Sequence, residues 1–528
     1  MPHKKEAHNN SSACSCCSTG LKAAYQAAKH MGLSRRHLIL GAGTAAVGGW
    51  ALKNRPARAE ETKTKTGSTI LPANQLIVQP VLTYSLPQRQ EKTSWRHWGG
   101  IMDTADLAQE TRRINNELRK LTNSHNLSIK LLPLITVNTE AEAAKTKQTT
   151  CDVMLIYGAG AYKDVIDALV PTDKPVLFFL RHKSGPVYLW YEILHPTFLR
   201  QQTDDYQKKN INVEDVIVDD YEELAWRLNA LSGLRKTLGQ KIVAIGGAGG
   251  WGLGHKFGPT VAREKWHLDI IEIPYPKVGK LLEKHRSDER ANAQAAREAE
   301  KYMAQPNIEL HTDVKAVQNS FLLYNFFKNL MIEHQATAFT IKGCMLVIIP
   351  MAETTACLPL SLLNDEGYLA FCESDFAVIP AGMLMHHITG TPAFLNDPTW
   401  PHHGMVTLAH CTAPRKMDGK NYAPTKIYTH FESDYGAAPK VEMAIGREVT
   451  MVVPDFQSQK WIGAKGKIVA NPFHDICRSQ IDVAIDGDWQ KLLEDMRGFH
   501  WMMVYGDCRK EVGYAIKHLG IEWKDVSA

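Results

Sequence analysis

No stripe of Lys and Arg with interleaved aromatics runs through this sequence, which argues against nucleic acid as a partner. No apolar run near the N-terminus reaches the roughly 20 residues that a membrane-spanning helix needs. The ten cysteines do not make a disulfide framework. Three of them, Cys14, Cys16 and Cys17, precede a basic pair, and the other seven are scattered and odd in number. The single glycine-rich loop lacks a clearly placed ribose-binding acid, so it is a weak nucleotide signal. What remains is ordinary for a soluble globular protein: 44% hydrophobic and 22% charged residues. At 528 residues the chain exceeds one core, and two or three domains are expected.

The first 59 residues stand apart. Ser34-Arg35-Arg36-His37-Leu38 is followed by a Gly/Ala-rich apolar run to Leu52 and then by Ala57-Arg58-Ala59. This reads as a twin-arginine export signal with a cut after Ala59, which places the mature chain in the periplasm or outside the cell. The alternative is an uncleaved signal acting as an anchor. No stable membrane insertion is expected once the signal is removed. The segment holds nine Lys/Arg against one acid, so the formal charge of +5 becomes about −3 without it. The twin-arginine route carries folded proteins, and it suits a chain that must take up a metal before export.

After a polar linker over 60–75, apolar runs over 75–84, 129–137, 152–157 and 175–180 read as strands, with a helix over 103–122 between the first two. A second alternation opens with KIVAI at 241–245. It continues through Gly246-Gly247-Ala248-Gly249-Gly250-Trp251-Gly252 to the strand LDIIEI, which contains Glu272. That loop either cradles a phosphate or lets backbone approach a neighbouring loop or a sugar. Residues 278–304 read as one solvated helix, and 319–330 as an aromatic-rich core helix. Beyond 420 short strands are expected over 426–431, 441–447, 448–453, 461–469 and 481–485. The fold class is therefore α/β: two Rossmann-like parallel-sheet domains, 76–237 and 238–350, then a C-terminal α+β or β-barrel-like domain over 351–528.

Chemistry concentrates in the last of these. Glu373 ends an apolar strand, and a carboxylate there must be neutralised, hydrogen-bonded or bound to a metal. Asp375, two residues on, reads as the N-cap of the following helix. Asp397 lies where FLN meets a turn, and by itself it also fits an ordinary Asn-Asp-Pro turn. His410 ends the strand MVTLA, and His500 precedes the strand WMMVY. His386, His387, His402 and His403 are further candidates. Oxygen and nitrogen ligands of this kind suit a hard or borderline divalent ion. Trp95, Trp98, Trp251, Trp400 and Trp501 are candidates to stack on a sugar, and each fits a core position equally well.

The phrases CLPLSLLNDEGYLAFCESD, ITGTPAFLNDP, LAHC, THFESDYG, CRSQ and FHWMMVYGDCRKE together resemble the L-fucose isomerase/L-arabinose isomerase superfamily, in its fucose-isomerase-like branch. The resemblance covers most of the chain beyond the signal. It implies an aldose–ketose isomerase that works through an enediol with a divalent metal, most simply Mn²⁺. It implies Glu373 and Asp397 as ligands and as the acid–base pair, and His500 as the C-terminal histidine ligand. His410 matches a ligand of the arabinose-type enzymes, and the sequence leaves open whether it ligates directly. The resemblance also implies a small-molecule sugar as substrate and a homo-oligomer, trimer or hexamer. The alternatives are the same fold acting as an epimerase, lyase or hydrolase, a non-catalytic sugar-binding protein, or a nicotinamide-linked oxidoreductase built on the Gly246 loop.

Overall fold

The computed structural model describes residues 75–97, 99–161, 163–188 and 211–527. The export signal, its cut after Ala59, the linker up to residue 74 and Trp98 lie outside the described residues.

The first sheet is built from β1 (Leu76–Thr83), β2 (Ile129–Leu131), β3 (Ile135–Val137), β4 (Val153–Gly158), β5 (Val176–Leu180) and β6 (Val216–Val218). All pairings are parallel, in the order β2-β1-β4-β5-β6, with β3 beside β1 further along. The strands β4 and β5 are buried along their whole length. A parallel strand covered on both faces must be apolar without alternation, which is why VMLIYG and VLFFL read as continuous runs. One strand was expected over 129–137. It is split instead, because Leu132-Pro133-Leu134 separates β2 from β3 and Pro133 has no N–H to give to β1.

The second sheet has the order β11-β10-β7-β8, again all parallel, from β7 (Lys241–Ile245), β8 (Asp269–Ile273), β10 (Ala338–Ile341) and β11 (Leu369–Cys372). Leu369–Cys372 completes this sheet, so the second α/β unit extends past residue 350 into the segment that carries Glu373. The stretch expected as one helix over 278–304 is two, Tyr275–Arg286 and Glu289–Met303. Ser287 closes the first, and Asp288 caps the second, accepting from the N–H groups of Arg290 and Ala291.

The C-terminal part is a closed antiparallel barrel of six strands. They are β12 (Phe394–Pro398), β13 (Met405–His410), β16 (Glu448–Pro454), β17 (Lys460–Ala470), β18 (Ser479–Ile485) and β19 (Trp501–Tyr505). Around the barrel they run β16-β19-β12-β13-β18-β17, and β17 closes onto β16. The strand β20 (Glu522–Asp525) joins β17 in parallel. Outside the barrel, β9 (Ile308–His311), β14 (Thr425–His430) and β15 (Tyr435–Val441) make a small sheet that ties the second unit to the third. The strand expected over 441–447 lies earlier, at Tyr435–Val441. Its Gly, Ala and Pro have little strand propensity, and the hairpin partner β14 imposes the conformation. Residues 442–447 turn instead, with Gly446 at φ 79°.

One helix, Ile379–Thr389, joins the second sheet to the barrel. It is preceded by β11 and packs against β19 and the helix Tyr221–Thr237. Gly382 makes the close approach possible: a Cβ there would meet the Phe371 ring at 2.7 Å and Met502 at 2.8 Å. Among the described residues, no single helix is long and apolar enough to cross a membrane.

Candidate metal centre

Four side chains converge, one from the edge of the second sheet and three from the barrel. Glu373 directly follows β11, at the carboxyl edge of the second sheet, where open α/β sheets place their ligands. Asp397 lies on β12. That strand runs between β13, which ends at His410, and β19, which begins one residue after His500. Barrel closure therefore brackets Asp397 with two histidines, and the sheet edge delivers Glu373 to them.

His500 Nε2 is 3.3 Å from Asp397 Oδ1 and 3.5 Å from Glu373 Oε2. His410 Nε2 is 3.8 Å from Glu373 Oε1. Ligand atoms of Asp397, His410 and His500 all lie within 4.8 Å of one another. Yet Asp397 Oδ1, His410 Nε2 and His500 Nε2 are buried and have no hydrogen-bond partner. Three orphaned buried polar atoms cost about 1–3 kcal/mol each unless something satisfies them. A cation would satisfy all three at once, and the donor set of two carboxylates and two imidazoles suits a hard or borderline divalent ion. The two histidines and Asp375 are sealed from solvent, whereas the side chains of Glu373 and Asp397 remain 34% and 27% exposed. The carboxylates thus face the open side of the cluster.

The electrostatics are strongly coupled. Burial pushes Asp397 up to about 7, reinforced by Glu373, Glu432 and Asp375 against the pull of His500. Burial also opposes ionisation of Glu373, but His500, His410 and Trp251 outweigh it and hold Glu373 at about 2. Burial drives His410 down to about 4 despite Glu373, which leaves a neutral imidazole. Burial works the same way on His500, but hydrogen bonding to Asp375 and the facing carboxylates raise it well above the usual range. The charges that favour a proton between these carboxylates equally favour a metal ion there.

Both histidines are oriented from behind. His500 Nδ1 lies 2.7 Å from Asp375 Oδ2, and Thr412 Oγ1 lies 3.1 Å from His410 Nδ1. Each ring is held by Nδ1 and presents Nε2 to the cluster, as ligating histidines are commonly held. The N-cap role expected for Asp375 is therefore corrected. The helix begins at Ile379 with Val378 as its cap residue, and Asp375 is buried against His500. Glu373 and Ser374 both adopt left-handed backbone conformations, with φ 63° and 50°. For non-glycine residues this costs on the order of 1–3 kcal/mol each and has to be held by its surroundings. The Ser374 N–H donates to Thr340 Oγ1, the Phe376 N–H to the Gly249 carbonyl and the Ala377 N–H to Asp375 Oδ1.

The glycine-rich loop supplies part of that hold. It follows β7, whose carboxyl end lies on the same edge as that of β11. Gly249 bridges to Asp375, and a Cβ on it would lie 3.0 Å from Lys342 Nζ. Glu272, the candidate ribose acid, instead accepts from the Ala248 N–H and pairs with Arg263. Trp251 donates from Nε1 to Glu373 Oε2 at 2.7 Å and stacks on Phe499. Sequence reasoning named Trp251 only as one of five possible stacking residues. Of the others described, Trp501 is wholly buried in the barrel core, Trp400 is 68% exposed, and Trp95 is half-buried with the Arg96 guanidinium over its ring. His386, His387 and His402 bond to Thr391, Gln240 and Trp400 respectively and are not part of the cluster.

No protein-family model matches this chain, and no curated protein matches it.

Proposed function

We propose that this protein is a metal-dependent aldose–ketose isomerase. The observation that carries the proposal is the convergence of Asp397 Oδ1, His410 Nε2 and His500 Nε2, all buried and without a hydrogen-bond partner, beside Glu373. Glu373, Asp397 and His500 would hold the ion, with His410 completing the set. Bound there, a divalent ion of the Mn²⁺ type supplies a Lewis acid that lowers the cost of negative charge on the sugar oxygens.

The chain's own residues then account for the rest. Isomerisation removes a proton from one carbon of the C1–C2 pair, returns one to the other, and shifts a proton between the oxygens. Glu373 and Asp397 are the acid–base pair for these transfers, on the open side of the cluster. Among the side chains alone, burial raises Asp397 to about 7, while His500, His410 and Trp251 hold Glu373 at about 2, so the two carboxyls sit in unlike environments. Trp251 fixes Oε2 of Glu373 by donating to it from Nε1. The half-buried Trp251–Phe499 stack forms an apolar wall suited to the carbon face of a sugar.

The test is metal analysis of the full-length protein together with NMR of an aldose panel in D₂O. A stoichiometric divalent metal is expected, with deuterium entering C2 of the substrate. Glu373→Gln and Asp397→Asn should each lower exchange by at least about 10²-fold. Exchange with no sugar and no stoichiometric metal would overturn the proposal, and bond cleavage without C2 labelling would point to a hydrolase or lyase instead.

A further inference from the structure

A second convergence lies next to the first and has different chemistry. Sγ of Cys357, Sγ of Cys411 and a ring nitrogen of His430 all lie within 4.8 Å of one another, and all three residues are buried. Cys477 packs against the same group from the loop before β18. All four cysteine and histidine positions fall at element ends. Cys357 opens the helix Cys357–Asp365, Cys411 follows β13, His430 ends β14, and Cys477 precedes β18.

We propose that Cys357, Cys411, Cys477 and His430 bind a soft or borderline divalent ion, of which zinc is the best fit, at a site separate from the carboxylate–histidine cluster. Three sulfurs and one imidazole make a Cys₃His set, which is a closed tetrahedral zinc set. Zinc–ligand bonds of about 2.0–2.3 Å place tetrahedral ligands roughly 3.5–3.8 Å apart. Cys357, Cys411 and His430, all within 4.8 Å of one another, need only a modest contraction, and Cys477, which packs against them, must move in to complete the set. Thiolates select zinc over manganese, whereas the neighbouring oxygen-rich set has the opposite preference.

The surroundings fit sulfur ligands. The Arg478 backbone N–H donates to Cys411 Sγ at 3.4 Å. Arg478 is itself fixed by donating from Nε to the Thr429 carbonyl, one residue before His430. Ser433 Oγ lies 3.4 Å from His430 Nδ1, leaving Nε2 as the nitrogen available to a metal. Cys357 stands in the first turn of its helix. An imidazole among the sulfurs speaks for a metal rather than a disulfide, which would use two sulfurs and leave the histidine idle. Cys411 directly follows His410, so an ion here would pin the end of β13 and the histidine it carries.

Loading the full-length protein with Co²⁺ tests this. A thiolate-to-cobalt charge-transfer band is expected in the wild type and in Glu373→Gln. It should vanish in Cys411→Ser and weaken in His430→Ala, and zinc content should fall by one equivalent in Cys357→Ser. Retention of the band in Glu373→Gln separates this site from the proposed catalytic one, whether or not any sugar turns over. If the cysteine variants do not fold, the wild type alone decides. Cobalt uptake without a thiolate band overturns the proposal. So does a Cys357–Cys411 disulfide found by mass spectrometry, or iodoacetamide labelling of the three thiols that zinc does not slow.

Discussion

Asp375 Oδ2 lies 2.7 Å from His500 Nδ1, with both side chains almost wholly buried. A carboxylate behind a histidine sets which ring nitrogen carries the proton and raises the basicity of the other. Asp375 thereby turns Nε2 toward Glu373 and Asp397. The same residue bridges to Gly249, so it links the glycine-rich loop, the strained turn at Glu373 and the barrel histidine.

That link predicts the behaviour of Asp375→Asn. The amide oxygen can accept from His500 Nδ1–H only by leaving its NH2 against the Ala377 N–H that Oδ1 now accepts, so a modest loss of stability should accompany the lost charge. The lost charge should weaken metal binding by about 10–100-fold. Chelator competition measures it. Unchanged affinity would mean that Asp375 serves only the turn.

His410 is separable from an ordinary core histidine. Its Nε2 faces Glu373 and has no hydrogen-bond partner. His410→Ala should therefore lower metal affinity at least about 10-fold, within the range seen when metal-site partners are removed. A core histidine would instead change the melting temperature and leave metal affinity alone.

Gly382 is the contact on which the junction between sheet and barrel turns. Gly382→Ala drives a methyl into Phe371 and Met502. Overpacking of this kind costs about 1–3 kcal/mol, and the flexible methionine favours the lower end. Urea unfolding should show a lower midpoint. A neutral result would mean that the helix Ile379–Thr389 shifts without cost.

Asp365 gives the stability a pH dependence away from the metal cluster. Burial pushes its carboxyl up to about 7, although the N–H groups of Arg415 and Lys416 donate to Oδ1 and the charges of both residues oppose the rise. Between its ordinary value near 4 and this raised one, the folded state binds more protons than the unfolded state. This group's contribution therefore falls as pH rises through that window and levels off above it. Asp365→Asn should remove that slope. Its stability relative to wild type should be more favourable at pH 8 than at pH 5, as read from unfolding midpoints. A difference independent of pH would contradict the assignment.

Much of the architecture was legible because its signals are local. Continuous apolar runs marked β4, β5 and β7 since both faces of those strands are covered, and the short strands of the barrel follow from their apolar content. Glu373, Asp397, His410 and His500 were nameable one by one, as polar residues at the ends of apolar strands. Asp375 and Trp251 were nameable only in other roles. An Asp before a helix looks like a cap, and a Trp in a glycine loop looks like any loop aromatic. The available hints were the spacing of Asp375 two residues after Glu373 and the position of the loop after a strand of the same sheet.

What depends on the fold alone is which of these residues meet. Residues 251, 373, 397, 410 and 500 come together because β7 and β11 end on one edge of a parallel sheet, and because the barrel closes with β12 between β13 and β19. Strand order and barrel closure arise from pairings between distant segments, and no local period encodes them. The same holds for Cys357, Cys411, His430 and Cys477, which look scattered along the chain. Side-chain chemistry and strand patterning are written residue by residue, whereas coordination is a property of several strand ends brought within a few ångströms.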